Sequence, residues 1–406
     1  MSEPSQPKRQ TRRSFLLTVG AAIALKNVFE KSQSSKMTNC ITLFLCGDVM
    51  TGRGIDQILP HPSNPLLHEP YVKSAEEYVE LARQANGSIP YPVNFSDIWG
   101  DALDEWERVA PDLRIINLET SITTSEDYWE EKDIHYRMNP ANISCLTAAK
   151  IACCSLANNH VLDWGYAGLT ETLKSLKGAK IESAGAGQNL KEAETPVEIE
   201  VEGKGRVIVF SLGLTTSGIP LSWGATQDRP GVNLLQDLSE ETVRQIDDKI
   251  QKIKRSRDII VASIHWGGNW GYEIDRYQTE FAHRLIEGAG VDLIHGHSSH
   301  HVKGIEVYQD KLILYGCGDF LNDYEGVTGY EAFKDDLGLM YFARIDPLTG
   351  KLVSLQMTPT QIKHLRVNRA SLPDALWLRD ILNREGKRLG TQVELNPDRT
   401  LTLQWR

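Results

Sequence analysis

The chain has 406 residues, of which 41% are hydrophobic and 24% charged, and this balance excludes a mainly disordered protein. A net charge of −10 argues against nucleic acid as the main partner. Six cysteines with no repeated Cys-x-x-Cys spacing argue against a structural zinc site and read as buried thiols.

The chain opens on a basic stretch, residues 7–13, that ends in Arg12-Arg13. Ser14-Phe15-Leu16 and a mildly apolar run to Leu25 follow. Twin arginines before such a run read as an export signal, placing the protein in the periplasm or cell envelope. The run is too short to span a bilayer comfortably. No clear cleavage site follows it, so a cleaved signal and an uncleaved membrane anchor both stay open. Residues 1–39 are therefore read as signal and linker.

From residue 40, short apolar runs rich in β-branched residues predict buried strands at 41–46, 113–117, 151–157, 206–212, 258–264, 291–295 and 311–315. Between them, apolar residues three and four apart predict helices over 72–85, 97–109, 166–176, 240–254 and 278–289. Ser239 is placed to cap the fourth of these. Residues 196–212, broken at Gly203-Lys204-Gly205, predict a hairpin. Alternating strands and helices define an α/β fold with central mixed sheets flanked by helices. Residues 40–325 form its main body. Residues 326–406 are read as a β-rich extension completing the same domain, with a turn at 346–350. The Pro-, Gly- and Trp-rich stretches 55–100 and 214–235 are candidate substrate-facing loops.

Polar clusters recur just after the predicted strands. Asp48 follows the first and Glu119 the second; Asn158-Asn159-His160 follow the third. His265 follows the strand at 258–264, and His295, His297, His300 and His301 crowd around the end of the next. Ligands in α/β sheets bind at the carboxyl ends of strands, so clusters distant in sequence would converge there. Alone, each residue reads as a turn former, a cap or a buried histidine. Together, two carboxylates, a carboxamide and several imidazoles are the donors of a two-metal oxygen and nitrogen site. The dearth of thiols favours Mn, Fe or Zn bound by such groups over a thiolate centre.

In order, the chain carries Gly47-Asp48-Val49-Met50-Thr51-Gly52-Arg53, Asn117-Leu118-Glu119, Asn158-Asn159-His160 with Asp163, His265-Trp266-Gly267 and Gly296-His297-Ser298-Ser299-His300. This ordered set resembles the CapA family of capsule (poly-γ-glutamate) synthesis proteins, a branch similar to the calcineurin-like metallophosphatases. The resemblance covers about residues 41–325. It implies a metallophosphatase-like sandwich binding two divalent metals. Asp48 and His300 would belong to the first metal, Glu119 would bridge, and Asn159, His265 and His297 would hold the second. It further implies that His160 works at the leaving group, that Asp163 orients His160, and that Arg53 binds a phosphate or carboxylate oxygen. Met50 stands where metallophosphatases carry a histidine ligand, so the first metal has fewer imidazoles. Asp319, in Gly316-Cys317-Gly318-Asp319-Phe320, is an added acidic group without an assigned role. Two functions follow: a metal-dependent hydrolase acting on a phosphoester or an anionic envelope polymer, or a non-catalytic factor that binds or exports such a polymer on the same fold.

Overall fold

The computed structural model describes residues 40–406; the twin-arginine segment lies outside the described residues. Two large sheets form the centre. In the first, the strands run in the order Asp319–Leu321, Asp48–Val49, Leu113–Leu118, Ile41–Leu45, Leu337–Asp346, Lys351–Ile362, Leu401–Trp405 and Thr391–Leu395. Cys153–Ser155 also pairs with Leu113–Leu118, and Glu182–Ala184 pairs with it in turn. The second sheet has the order Ile305–Tyr308, Lys311–Leu314, Leu293–His297, Asp258–His265, Gly205–Gly213 and Val197–Val201. Its middle four strands are parallel, and an antiparallel strand closes each edge. Both sheets are mixed and flanked by helices, so the expected α/β class holds.

Strand periodicity explains the layering, because successive side chains point to opposite faces. Val207, Val209, Ile259 and Val261 face the first sheet, whose Leu43, Leu45 and Ile115 meet them in one apolar layer. Their neighbours Ile208, Phe210, Ile260 and Ile264 face the other way, onto the helices Glu240–Ile253 and Arg276–Ala289 through Val243, Ile250, Phe281 and Leu285. On the far side of the first sheet, Phe44, Ile116 and Cys154 pack against Trp99, Trp106 and Leu169. Strands buried on both faces are continuous apolar runs, which is why they stand out in the sequence.

Local signals act as expected in several places. Ser239 accepts a hydrogen bond from the Thr242 amide and caps its helix. The hairpin closes with Val197–Val201 antiparallel to Gly205–Gly213. Cys46, Cys145, Cys153, Cys154 and Cys317 are buried thiols.

One expectation is corrected. The helix predicted over 97–109 is broken into a short 3-10 turn, Asp97–Trp99, and a helix, Ala102–Val109. Gly100 between them has φ +43°, and a Cβ there would lie 2.1 Å from the Val367 carbonyl oxygen. Tertiary contact with a strand 267 residues away thus overrides the local apolar period. The C-terminal extension is mostly strand, with one helix among its strands. It contains the helix Leu372–Gly386, capped by Ser371 with Pro373 in its first turn. That start signal was present in the sequence. The same extension supplies Leu337–Asp346, which pairs antiparallel with Ile41–Leu45 along that strand's whole length.

Candidate metal centre

Strand register brings the distant clusters together. Asp48 lies opposite Asn117 on one side and Asp319 on the other. In the second sheet His265 lies opposite His297, each the last residue of its strand. The ends of the two sheets meet at Asp48, whose Oδ2 accepts from the Ser298 amide at 3.2 Å. Ser298 adopts φ 99°, an unusual conformation for a non-glycine residue that turns its N–H toward the carboxylate.

Two donor groups result, and both contain Asp48. Asp48, His265 and His297 form one; Asp48, His300 and Asp319 form the other. Within each, ligand atoms lie within 4.8 Å of one another, and all five residues are buried. Asp48 is the residue common to both groups, and Glu119, to which the resemblance gives the bridge, stands beside it. Glu119 Oε1 lies 3.8 Å from both His160 Nε2 and His265 Nε2 and belongs to neither group. Asn117, part of the Asn-Leu-Glu motif but given no role there, donates through Nδ2 to Asp48 at 2.8 Å and to Glu119 at 3.1 Å, holding the two carboxylates side by side.

The other predicted residues surround these groups. Asn159 Oδ1 accepts from His265 Nε2 at 2.8 Å. His265 and His297 face each other through their Nδ1 atoms at 2.8 Å, and Ser263 Oγ lies 2.9 Å from His297 Nε2. His300 Nδ1 donates to Asp319 at 2.9 Å, and its Nε2 meets the Asn269 amide at 3.1 Å. His295 sits apart as a buried structural residue, bonded to the Cys46 carbonyl. Asn158 braces the loop, accepting from the His160 and Val161 amides.

His160 donates from Nδ1 to Asp163 Oδ2 at 2.6 Å, which leaves its Nε2 lone pair facing Glu119. Lys132 completes this arrangement. Its ammonium donates to Asp163 Oδ1 at 2.5 Å and to the Asn159 carbonyl, and it lies 3.3 Å from His160 Nδ1. Lys132 sits in a charged loop with no periodic signal, so sequence pattern alone had no means of finding it. Asp319 had a signal, since it follows the apolar run 311–315 as the other donors follow theirs.

Arg53 is not a free cation. Its guanidinium bonds Asp323 through Nε at 3.1 Å and Nη2 at 2.5 Å, and Glu69 and Tyr78 through Nη1 at 2.9 Å each. It also lies over the Tyr78 and Tyr136 rings. Met50 is buried, and its thioether accepts from the Tyr324 hydroxyl. Trp223 and Trp266 are core residues, whereas Trp270 packs beside His300.

Burial governs the charges. It raises the Asp48 carboxyl to about 7, reinforced by Asp319, and raises Glu119 well above the usual range, reinforced by Asp48. Burial pushes His265 and His297 well below ordinary imidazoles, keeping them neutral, the form that binds metal. Burial, helped by Lys132, brings His160 down to about 4 against the pull of Asp163. Burial also pushes His300 down, but Asp319 and Asp48 outweigh it and raise it. A crowd of buried carboxylates this costly without counter-charge fits divalent cations, and the donors are all oxygen or imidazole nitrogen. Burial holds the Cys46 and Cys317 thiols high and protonated, so neither is a competitive ligand.

Fold and site thus define a two-sheet α/β protein with a carboxylate–imidazole donor cluster where its sheets meet. Residues 42–324 match the family described as bacterial capsule synthesis protein PGA_cap, and the chain belongs to that family. It is 48% identical over 364 residues to a probable polyglutamine synthesis accessory protein of Mycobacterium tuberculosis, covering 89% of this chain and 95% of the relative. It is 30% identical to the PGA biosynthesis protein CapA of Bacillus subtilis, over 61% of this chain and 60% of that one. The capsule biosynthesis protein CapA of Bacillus anthracis is 26% identical, over 75% of this chain and 64% of its own length.

Proposed function

We propose that the protein is an exported, metal-dependent hydrolase of the phosphoester type that acts in the synthesis of an anionic envelope polymer, poly-γ-glutamate or its relatives. One observation carries this reading: a single buried carboxylate, Asp48, is shared by two donor groups beside a His–Asp pair. Two divalent cations of the Mn, Fe or Zn kind would supply Lewis acidity toward a substrate oxygen. Asp48, His265 and His297 would hold one, and Asp48, His300 and Asp319 the other, with Asn159 and Glu119 at the margin. His160 presents Nε2 to the substrate and exchanges a proton there, while Asp163 fixes its tautomer and Lys132 fixes Asp163.

Elemental analysis of the mature protein, grown with manganese, iron and zinc, tests the reading. About two metals per chain are expected, and none would sink it. A non-catalytic polymer-binding role is the second reading. It is favoured by Met50, a thioether where an imidazole ligand would otherwise stand. Under it, no phosphoester or γ-glutamyl bond is cleaved, with or without bound metal.

Export through Arg12-Arg13 belongs to the same proposal. Replacing both with lysine is expected to retain the protein in the cytosol, measured by fractionation; unchanged export would reject the twin-arginine route. Among the described residues, no helix is long and apolar enough to cross a membrane.

A further inference from the structure

A cleft of about 220 Å³ opens beside His300. Tyr78, Tyr136, Trp270, Tyr324 and Tyr330 line it, with Asn269, Asp335 and the Arg53 guanidinium. It adjoins the donor cluster directly, because Asn269 bonds His300 and both Trp270 and Tyr324 pack near the His300 ring, with centroids 5.3 and 5.5 Å away. Its volume is below the ~300 Å³ of sites that take drug-sized ligands, so it admits about one ring.

The lining excludes charged occupants. Arg53 is already met by Asp323 and Glu69, and Asp335 adds a carboxylate, so an anion finds no free guanidinium in the cleft. Arg53 already covers the Tyr78 and Tyr136 faces at 3.9 and 4.5 Å, which leaves a cationic occupant fewer partners than the number of rings suggests. Divalent cations at Asp48 would repel it further. A wholly apolar occupant would desolvate the Asp335 carboxylate. What fits is a neutral ring with an apolar face and hydroxyls at its edge. The parallel stack of Trp270 on Tyr330, 3.9 Å apart at 6°, lies at the rim, and Tyr330 remains 41% exposed. It offers the aromatic surface on which such a face packs.

We infer that the cleft receives a sugar ring, and that the bond cleaved is a phosphate ester of a sugar hydroxyl. The inference rests on the esterase reading above and gives it a substrate class. In the reaction, water adds to phosphorus, the bond from phosphorus to the sugar oxygen breaks, and a proton released by water ends on the sugar hydroxyl.

The test has a binding arm and a hydrolysis arm, both on the full chain. Saturation-transfer NMR with neutral methyl glycosides of hexoses and N-acetylhexosamines is expected to show contact at ring C–H protons. Tyr330→Ala, a surface change, and Trp270→Ala should each diminish that contact. In the metal-loaded protein, Trp270→Ala should lower the preference for a hexose phosphate over a simple alkyl phosphate about tenfold, the scale of one lost stacking contact. No glycoside contact, or contact indifferent to both variants, overturns the sugar site. Hydrolysis of alkyl phosphate with no preference for the sugar ester overturns the substrate class and leaves the esterase reading standing. Glycoside contact without hydrolysis of any phosphoester supports the sugar site and sinks the esterase reading.

Discussion

Asp48→Asn is expected to abolish metal binding at both donor groups, while the metal-free variant gains stability relative to the wild type as pH rises. The first half follows from geometry, because Asp48 is the one residue common to both groups. Asp319→Asn, which touches one group, should remove about one metal of two. The second half follows from electrostatics. Asp48 is fully buried beside Asp319 and Glu119, and without metal its ionised form is disfavoured. The amide keeps the shape of the side chain and removes that charge, and gives up one of the two acceptors that meet Asn117 and the Ser298 amide, a cost that does not change with pH. The sign of the pH dependence is fixed. A carboxyl whose folded value, about 7, exceeds its unfolded value of 3.8 binds more protons in the folded state between those limits. The metal-free wild type should therefore lose stability relative to Asp48→Asn as pH rises from 4 to 7, and the difference should level off above that. Elemental analysis with urea unfolding across this range decides the matter. Retained metal in Asp48→Asn, or a gap that narrows with rising pH, would refute the shared-carboxylate arrangement.

The second large effect concerns Arg53. Arg53→Met should cost about 3–5 kcal/mol, the usual consequence of removing one member of a buried ion pair. The side chains of Asp323 and Glu69 are only 1% and 3% exposed, and both would be left without their cation. Asp323 also accepts from the Gly54 amide, so the damage reaches the start of the helix Gly54–Ile58. Arg53→Lys keeps the charge but loses the fork that meets Asp323 through two nitrogens, and should recover only part of the loss. Adding Asp323→Asn to Arg53→Met should restore stability by removing the stranded carboxylate. Denaturant midpoints for the four proteins measure this. An Arg53→Met protein as stable as wild type but defective toward phosphoester would return Arg53 to the substrate-binding role first expected of it.

Much of the fold was legible because it rests on local physics. The strands Ile41–Leu45, Leu113–Leu118 and Asp258–His265 are apolar runs buried on both faces, and such runs appear in sequence whatever their neighbours. Donor residues at strand ends were legible for the same reason: once a strand is located, its carboxyl end is too. By itself, then, the sequence determined the α/β class and singled out Asp48, His265, His297 and His300, which the fold gathers in one place. The tertiary structure alone decided which donors share a group. Asp48 and Asp319 are 271 positions apart, and their adjacency depends on strand order and register, which local pattern does not encode. It also decided the fate of the cations. Arg53 and Lys132 look alike on paper as available positive charges, yet each is held by buried carboxylates brought from distant loops. Charge in a sequence is counted residue by residue, whereas the work a charge can do depends on what burial places against it.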